Sequence, residues 1–589
     1  MTADIMKVLI LLCALVAQIY GQAHHLKFHQ SPEEGHSCII LENEFLPRYR
    51  GFETEDENEF KFSSKAAMKT PTDTMIELRS DAKIIEVFAK TEKSAQAFLT
   101  SMCKSQEKVL PFSQSTSTST QDVVINADPE IRKIIDGGDQ ANRIDVVFMG
   151  DGYNASQRDQ FFEDMERLTT EMFNGETFRS YLPVFNIWAI YVESVDTGIG
   201  YDGPKDTPFR LYREAGQLRG IFPGNSAFAR QVCALTGASG CDYPSIIGND
   251  DFYGGLGGEF VISTKSARTG TVVLRHEMGH NFVDVGEEYD NGQVYSGVNA
   301  ARTVASLGWT SWLTNEAKRE ERAMFRLLQY PWADLSEGSQ SFTFLSDGSY
   351  SRWYLLVSVS AAGEPDSLEF VLDDEVLPWT STGFDDREFY SWSGDEGFSA
   401  GSHRFSVRSK TNSTHPEIPR MICSVNLHEF GDESQFSMDN NVVSAYPTWD
   451  IWRLKSFRPT NAGCLMRNMT HARFCPVCQE GMWSQFLERV DLIDNVEVSN
   501  TTSPDGTREV KVNTLKLGQF REPGNEVPGE TLDIKWILNN AEQEELRDQL
   551  IINAQPGNWV CEVHFNTTEV RSDPRNLLTS SQNFVVPPV

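Results

Sequence analysis

A short apolar segment with two histidines constrains this chain more than any other feature of its sequence. Residues 272–283 read VVLRHEMGHNFV, so apolar residues surround His276, Glu277 and His280. The apolar composition predicts a buried helix, and a buried helix rarely carries three such polar groups unless a ligand satisfies them. The alternative is a surface helix with two solvated histidines, which the apolar neighbours disfavour.

The spacing of the two histidines predicts a metal site. Helix positions four residues apart lie on the same face, so His276 and His280 can present imidazole nitrogens to one cation. Glu277 can reach a water molecule at that cation without binding the metal itself. This H-E-x-x-H pattern is typical of zinc peptidases, in which neutral imidazoles hold Zn²⁺ and the glutamate acts as general base. We therefore predict one zinc ion per chain, with Glu277 as the catalytic residue.

The third protein ligand is expected in the segment after this helix. Gly286 is expected to end the helix in a left-handed conformation and to turn the chain back toward the metal. Glu287 and Glu288 follow directly, and one of them is predicted to bind zinc while the other has a structural role. Spacing alone does not choose between the two, and Asp284 and Asp290 are further candidates.

The N-terminal residues predict export of the protein. Lys7 precedes an apolar run over residues 8–20, which is too short for a membrane anchor, and small residues follow it. We interpret residues 1–22 as a secretory signal peptide, with a buried N-terminal helix as the alternative. No later apolar run reaches the roughly 18 residues of a membrane span. The expected location is therefore extracellular, without insertion into a membrane.

Changes in hydrophobic pattern divide the 589 residues into several units. Strand, helix and strand patterns follow one another over residues 143–194, which is typical of an α/β sandwich. Alternating strands separated by Gly, Asp and Ser turns later interrupt this pattern and indicate an inserted β-sandwich. The predicted order is a β-rich N-terminal domain (23–118), the first part of an α/β (α+β) catalytic domain (126–335), the inserted β-sandwich (336–440), the second part of the catalytic domain (441–494) and a C-terminal β module (495–589).

The cysteines and the charge agree with secretion. Nine cysteines remain after the signal peptide, and in an oxidising compartment we expect most of them to form disulfides, with at least one thiol left over. Cys475 and Cys478 form a C-x-x-C pair that would suit a zinc knuckle, but no second pair completes one, so a disulfide is favoured. The formal charge of −32 argues against nucleic acid as a partner. N-x-S/T sequons, which indicate a glycoprotein, occur at Asn154, Asn412, Asn468, Asn500 and Asn566.

Two further segments have predicted roles. DDFYGGLGGEF, over residues 250–260, has paired glycines that are expected to let backbone approach closely, beside an edge strand that can pair with an extended substrate. Asp151, in the GDGY segment, is interpreted as capping the following helix or ordering the turn, and not as a catalytic residue.

The order of motifs along the chain resembles that of the IgA peptidase family of zinc metallopeptidases. The motifs are GDGY, DDFYGGLGGEF, HEMGH followed after six residues by EEY, and CLMRNMTHARFCPVC. The likeness covers about residues 143–332 and 449–494. It implies a metzincin-like fold in which Met466 lies in a tight turn beneath the metal, with Tyr289 of the EEY motif near the site. A disulfide among Cys464, Cys475 and Cys478 would hold this turn in place.

Three functions are compatible with these features. The leading hypothesis is a secreted, monomeric zinc-dependent metalloendopeptidase that hydrolyses protein or peptide substrates. The second is a catalytically silent adhesion or binding glycoprotein on the same scaffold; such proteins commonly lose the general base, and Glu277 is present. The third is zinc-dependent hydrolysis of a substrate other than a peptide, because zinc-bound water attacks many carbonyl groups.

Overall fold

The computed structural model describes five strands of the N-terminal region and almost all of the chain from residue 129. The described ranges are 21–30, 37–49, 60–66, 83–89, 105–108 and 129–588, with gaps at 202, 214–216, 238, 293–294, 316–318, 414 and 416. The chain divides into two units, residues 1–125 and residues 126–589. Residues 1–20, the greater part of the predicted signal peptide, lie outside the described residues.

The first unit contains one five-stranded sheet. The strand order is β3-β4-β1-β2-β5, in which β2 and β5 are parallel and the other pairs are antiparallel. The strands are β1 (Gly21–Gln30), β2 (Ser37–Tyr49), β3 (Phe60–Ala66), β4 (Lys83–Ala89) and β5 (Ser105–Lys108).

The described part of the second unit begins with a five-stranded sheet whose order is β10-β9-β7-β8-β6. Strands β7 to β10 are parallel, and β6 pairs with β8 in the antiparallel direction. Every residue of β7 is buried, as expected for a parallel strand covered on both faces. The strands are β6 (Glu130–Ile135), β7 (Ile144–Asp151), β8 (Phe185–Tyr191), β9 (Tyr243–Gly248) and β10 (Val261–Thr264).

Four α-helices occur in the described residues, and they cover both faces of this sheet. Alternate side chains of β7 point to opposite faces, so Val146 packs in one core cluster and Val147 in another. Residues of α1, α3 and α4 share the cluster of Val146, whereas residues of α2 share that of Val147. The helices are α1 (Arg158–Thr169), which a π-helical turn (Thr170–Asn174) extends, α2 (Ser226–Cys233), α3 (Gly270–Phe282) and α4 (Pro476–Leu487).

Helix α3 is the helix that carries the two histidines. Sequence reasoning placed its start near Thr271, and the structure begins it at Gly270. The expected C-terminal signal at Gly286 is wrong: the helix ends at Phe282, and Val283 leaves it in an extended conformation. Gly286 is not among the described residues with positive φ, and its N–H donates to Asn299 Oδ1 at 2.7 Å. The chain therefore turns back through an extended segment that a side-chain amide holds.

A β-sandwich interrupts the α/β core. One sheet has the order β11-β19-β14-β17, with β12 also paired to β19, and the other has the order β13-β18-β15-β16. Apolar residues from both sheets form a core of their own. The strands are β11 (Ala323–Gln329), β12 (Ala333–Asp334), β13 (Gln340–Ser346), β14 (Arg352–Val359), β15 (Leu368–Leu372), β16 (Glu375–Leu377), β17 (Glu388–Gly394), β18 (Gly401–Ser409) and β19 (Met421–Phe430).

The C-terminal strands pack on the α/β core instead of forming a separate core. Trp483 of α4 contacts Phe565 of β27 at a ring-centroid distance of 5.0 Å, and both belong to the cluster that also contains Val146. The strands are β20 (Tyr446–Trp449), β21 (Lys455–Arg458), β22 (Ile493–Val498), β23 (Arg508–Thr514), β24 (Thr531–Leu538), β25 (Ala541–Glu542), β26 (Ile551–Ala554), β27 (Gly557–Asn566) and β28 (Thr579–Val586).

Altogether the described residues form a mixed α/β structure that is rich in strands, has few helices and contains several sheets. None of the helices in the described part of the chain has the length and apolar character that a membrane crossing requires. Short 3₁₀ turns occur at Gln140–Asn142, Ala155–Gln157, Arg179–Val184, Ala234–Thr236, Val304–Ser306, Thr310–Trp312, Gly518–Phe520 and Glu544–Leu546.

Candidate metal centre

Two histidines and one carboxylate converge at the C-terminal half of α3. His276 Nε2 lies 3.3 Å from Glu287 Oε2, and His280 Nε2 lies 3.3 Å from Glu287 Oε1. The two imidazole rings are nearly perpendicular, with centroids 5.1 Å apart. One nitrogen from each histidine and one oxygen of Glu287 all lie within 4.8 Å of one another, so the three groups can hold a metal ion.

Neighbouring groups fix the orientation of two of these side chains. His280 Nδ1 lies 2.9 Å from the main-chain oxygen of Val285. An Nδ1–H that donates there leaves the lone pair of Nε2 directed at Glu287, which is the tautomer a metal ligand needs. The hydroxyl of Tyr289 donates to Glu287 Oε1 at 3.0 Å, so Tyr289, expected near the site from the sequence, does contact it.

The charges of the site favour an anionic Glu287. Burial opposes its ionisation, but the two histidines outweigh this effect and hold the pKa of Glu287 well below its usual range. Burial likewise disfavours a charged His280, yet the carboxylates of Glu287 and Glu277 and the Val285 oxygen raise the pKa of His280 to about 9. At neutral pH the positive charge of His280 therefore offsets the negative charge of Glu287, and a metal ion would displace the proton of His280 Nε2.

The structure distinguishes among the four carboxylates that the sequence offered as the third metal ligand. Of the four, Glu287 reaches the histidines, whereas the adjacent Glu288 is fully buried and accepts a hydrogen bond from Asn299 Nδ2 at 3.0 Å. Asp284 is exposed on the surface. Asp290 is buried elsewhere, in contact with Arg467.

Asp290 anchors the loop after α3 to distant parts of the chain. It pairs with Arg467, and its Oδ2 lies 3.0 Å from His428 Nε2. The main-chain N–H of Trp449 donates to Asp290 Oδ1 at 2.9 Å. Burial opposes its ionisation, but Arg467 and His428 outweigh burial and hold the pKa of Asp290 well below its usual range. Asp290 thus has a structural role, because it ties the loop after α3 to these distant residues.

Glu277 lies against the glycine-rich segment 250–260. A Cβ atom on Gly257 would clash with Glu277 Oε2, and one on Gly255 would clash with Val273 of α3. The close backbone approach expected of these glycines is therefore present. The segment also lies beside an edge strand, since Leu256 forms a bridge with Ile262 of β10, the outermost strand in the sheet order.

Met466 packs against α3 at Gly279, the residue before His280. It is fully buried, and a Cβ atom at Gly279 would lie 3.1 Å from its Sδ and 2.9 Å from the ring of Phe474. The N–H of Glu288 donates to the main-chain oxygen of Met466 at 3.3 Å. The segment around Met466 thus contacts both the histidine helix and the loop that carries Glu287.

Asp151 orders a loop and does not cap the following helix. It is fully buried and accepts hydrogen bonds at 2.8 Å from Thr207 Oγ1 and from the N–H groups of Phe209 and Leu211. Burial raises the pKa of Asp151 in spite of these donors. Asn154 performs the cap instead, because its side chain accepts from Ser156 N in the 3₁₀ turn before α1. The alternative of an Asp151 helix cap is wrong.

The inserted β-sandwich supplies residues that sequence reasoning missed. Asp386 accepts from the N–H of Tyr253 at 2.6 Å and from Thr269 Oγ1, just before α3, at 2.9 Å. The guanidinium of Arg387 lies over the Tyr253 ring at 4.8 Å. Tyr253 lies close enough to Glu277 for that carboxylate to contribute, after burial, to a raised pKa of the tyrosine. No sequence pattern indicated these contacts, because Asp386 and Tyr253 are 133 residues apart.

The cysteines depart from the expectation of general disulfide pairing. Cys233 and Cys241 form a disulfide. The other cysteines whose side chains the structure describes are buried free thiols, namely Cys423, Cys464, Cys475, Cys478 and Cys561. The disulfide expected among Cys464, Cys475 and Cys478 is absent, since Cys475 Sγ and Cys464 Sγ lie 3.6 and 3.8 Å from Cys478 Sγ.

Two histidines on one helical turn, the Glu287 carboxylate that both imidazoles face and Glu277 on the same helix define a candidate metal centre. Residues 132–319, which contain all four side chains, match the model of the family described as IgA Peptidase M64. The match confirms the resemblance to the IgA peptidase family, and it indicates a peptidase, whose substrates are proteins or peptides. It ends before Met466 and the cysteines of α4.

Similarity to solved structures is slight. A GH2 β-galacturonidase from Eisenbergiella tayi bound to galacturonate is 8% identical, with a TM-score of 0.14 and coverage of 43% of each chain. A cycloisomaltooligosaccharide glucanotransferase from Paenibacillus sp. complexed with cycloisomaltoheptaose is 11% identical, with a TM-score of 0.12 and coverage of 62% of this chain and 58% of that one. Neither likeness carries a functional argument, and comparison with curated proteins gives no match.

Proposed function

We propose that this protein is a secreted, monomeric zinc-dependent metalloendopeptidase. His276, His280 and Glu287 are the proposed zinc ligands, and Glu277 is the proposed general base. The observation that carries the proposal is the convergence of the two imidazole nitrogens and the Glu287 carboxylate, with nitrogen–oxygen distances of 3.3 Å. Residues 1–22 are proposed to be removed during export, so N-terminal sequencing of the secreted protein should start after them.

The three side chains fit zinc in both chemistry and spacing. Imidazole nitrogens and a carboxylate oxygen are common ligands of catalytic zinc, whose fourth position stays open. Bonds of about 2.0–2.1 Å in a tetrahedral arrangement separate ligand atoms by roughly 3.3–3.4 Å. The observed nitrogen–oxygen distances are similar, although each histidine faces a different oxygen of Glu287. We propose that Met466 forms the apolar floor of the site, as in a metzincin-like fold.

Each residue then has a defined part in peptide hydrolysis. A bound zinc ion would lower the pKa of the attacking water and polarise the scissile carbonyl group. Glu277 accepts the proton of that water and passes it to the leaving amine. Val285 and Tyr289 keep His280 and Glu287 in place through their hydrogen bonds. Segment 250–260, next to Glu277, forms the wall along which an extended peptide would lie.

The Glu277→Gln variant tests this function. The substituted amide keeps the size of the side chain but takes no proton, so we expect peptide cleavage to fall at least about 100-fold while zinc and fold are retained. The measurement is cleavage of a peptide library beside metal analysis of wild type and variant. A chelator should inactivate the wild type, and added Zn²⁺ should restore its activity.

Two results would contradict the proposal. Full proteolytic activity in the Glu277→Gln variant would rule out this general base even if zinc were bound. A wild-type protein that binds zinc yet cleaves no peptide in the library would instead favour the catalytically silent binding glycoprotein.

A further inference from the structure

A second cluster of possible metal ligands lies behind the histidine site. Cys464, Cys475, Cys478 and Glu288 are all buried, and their ligand atoms lie within 4.8 Å of one another. Cys475 Sγ lies 3.6 Å and Cys464 Sγ 3.8 Å from Cys478 Sγ. Glu288 Oε1 lies 3.7 Å from Cys478 Sγ and 4.0 Å from Cys475 Sγ. Four atoms from three separate segments therefore surround one point.

These separations are those of a tetrahedral zinc site and not those of a disulfide. Zinc–sulfur bonds of about 2.3 Å place tetrahedral sulfur atoms about 3.8 Å apart, and an oxygen ligand lies about 3.5 Å from each sulfur. Disulfide-bonded sulfur atoms are separated by only about 2.05 Å. The sulfur–sulfur distances of 3.6 and 3.8 Å agree with the first arrangement. The distances of 3.7 and 4.0 Å from Glu288 Oε1 are longer than the ideal value, so the carboxylate would move toward the ion on binding.

The surroundings are those that bound thiolates require. Cys475 is the N-cap of α4 and Cys478 lies in its first turn, where the helix dipole stabilises negative charge. The N–H of Cys475 points at Cys464 Sγ at 3.3 Å, as outer contacts to a metal-bound sulfur do.

Glu288 is difficult to explain without a cation. The carboxylate is fully buried, and its Oε2 has no hydrogen-bond partner. Burying a carboxylate beside thiols is costly unless a positive charge compensates it. The guanidinium of Arg458 is near enough to favour ionisation of Glu288, but it donates hydrogen bonds to the main-chain oxygens of Pro447 and Asn461. A cation at the centre of the cluster would supply the charge directly.

We propose that Cys464, Cys475, Cys478 and Glu288 bind a second, structural zinc ion. Four protein ligands leave no open position, which is typical of structural zinc. The ion would join the segment before Met466, the start of α4 and the loop after α3. The proposal does not depend on the proposed peptidase function, although Glu288 is the neighbour of Glu287.

Metal analysis of the full chain, purified without chelator or reductant, tests the proposal. We expect two zinc ions per chain in the wild type and one in the His276→Ala/His280→Ala variant. Cys478→Ser should lose one zinc, whereas the control Cys561→Ser, which changes a buried thiol of β27, should keep both. Because Cys478→Ser can fail to fold, the histidine double variant is also loaded with Co²⁺. A sulfur-to-cobalt charge-transfer absorption should then appear.

The outcomes separate the two proposals. A wild type with one zinc that disappears in the histidine variant would overturn the structural site and leave the peptidase site intact. One zinc that persists in the histidine variant would support the cysteine site and contradict the peptidase site. Alkylation before reduction followed by peptide mapping should find all three cysteines as thiols after zinc removal. A disulfide between any two of them would also overturn the proposal.

Discussion

At the scale of single residues, the site depends on the difference between two adjacent glutamates. Glu287 faces the histidines, and Glu288 faces the three cysteines. Sequence predicted that one of the pair would bind metal and that the other would have a structural role, and spacing left the choice open. The choice is made by tertiary contacts. Tyr289 donates to Glu287, and Asn299 donates to Glu288.

Glu287→Ala should abolish metal binding at the histidine site. The variant removes one of three proposed ligands, and the remaining two imidazoles hold zinc weakly. Asp284→Ala is the matched control, because Asp284 is a carboxylate of the same loop but is exposed. Metal content and peptide cleavage are measured for both variants and for the wild type, and Glu287→Ala should lose one zinc ion relative to the wild type. Loss of zinc from Asp284→Ala, with retention in Glu287→Ala, would contradict the assignment.

Asp290→Asn should lower the free energy of unfolding by about 3–5 kcal/mol, because it leaves Arg467 without its buried charge partner. The pKa of Asp290 is lowered in the fold, so its contribution is complete above the unfolded pKa of about 3.9 and is lost as the pH falls below that value. Denaturant unfolding of both proteins at matched metal content should therefore show a difference that shrinks on acidification. A difference that grew in acid would contradict this reasoning.

At the scale of elements, sequence patterns predicted most of the α/β core. The apolar run after Arg143 forms β7. The following segment, whose apolar residues have helical spacing, forms α1. Helix α3 begins within one residue of the prediction, because its apolar residues pack on the sheet as expected. Gly286 did not predict the end of α3, which ends at Phe282. The conformation at Gly286 depends on a hydrogen bond from its N–H to the side chain of Asn299, a residue later in the chain.

Gly279→Ala tests how tightly α3 packs on the segment around Met466. The added methyl group would lie 2.9 Å from the Phe474 ring and 3.1 Å from Met466 Sδ, so those groups must move. Overpacking of this kind costs about 1–3 kcal/mol. Gly308→Ala is the control, because a Cβ there meets no atom within 4 Å. Equal unfolding free energies for both variants would contradict the prediction, because Phe474 and Met466 would then have moved without a cost in stability.

At the scale of the whole molecule, the site is assembled from parts that are distant in the chain. The inserted β-sandwich contributes Asp386, and the segment after it contributes Met466 and Arg467. Sequence predicted an insertion, but no pattern indicated that the insertion would contact the wall of the site. The sequence also did not predict the cluster of three free thiols. A zinc knuckle needs a second C-x-x-C pair, whereas here Cys464 and Glu288 join Cys475 and Cys478.

Asp386→Ala should destabilise the contact between the sandwich and the site. It removes the acceptor for the Tyr253 N–H and for Thr269, and each buried group left without a partner costs about 1–3 kcal/mol. Glu375→Ala, at an exposed position of β16, is the control. We expect a lower unfolding free energy and slower peptide cleavage only for Asp386→Ala, with zinc content unchanged. Loss of zinc in this variant would mean that Asp386 supports the ligands directly.

The discontinuity of the site has a consequence for the time at which it forms in the cell. Glu288 and Arg467, which contact each other, are separated by 179 residues. At a synthesis rate of roughly 5–20 residues per second, Arg467 leaves the ribosome about 9–36 s after Glu288. During that interval the residues of α3 have been synthesised, but Met466, Arg467 and the cysteines beside them have not. A nascent chain would therefore be inactive as a peptidase until most of it had been translated.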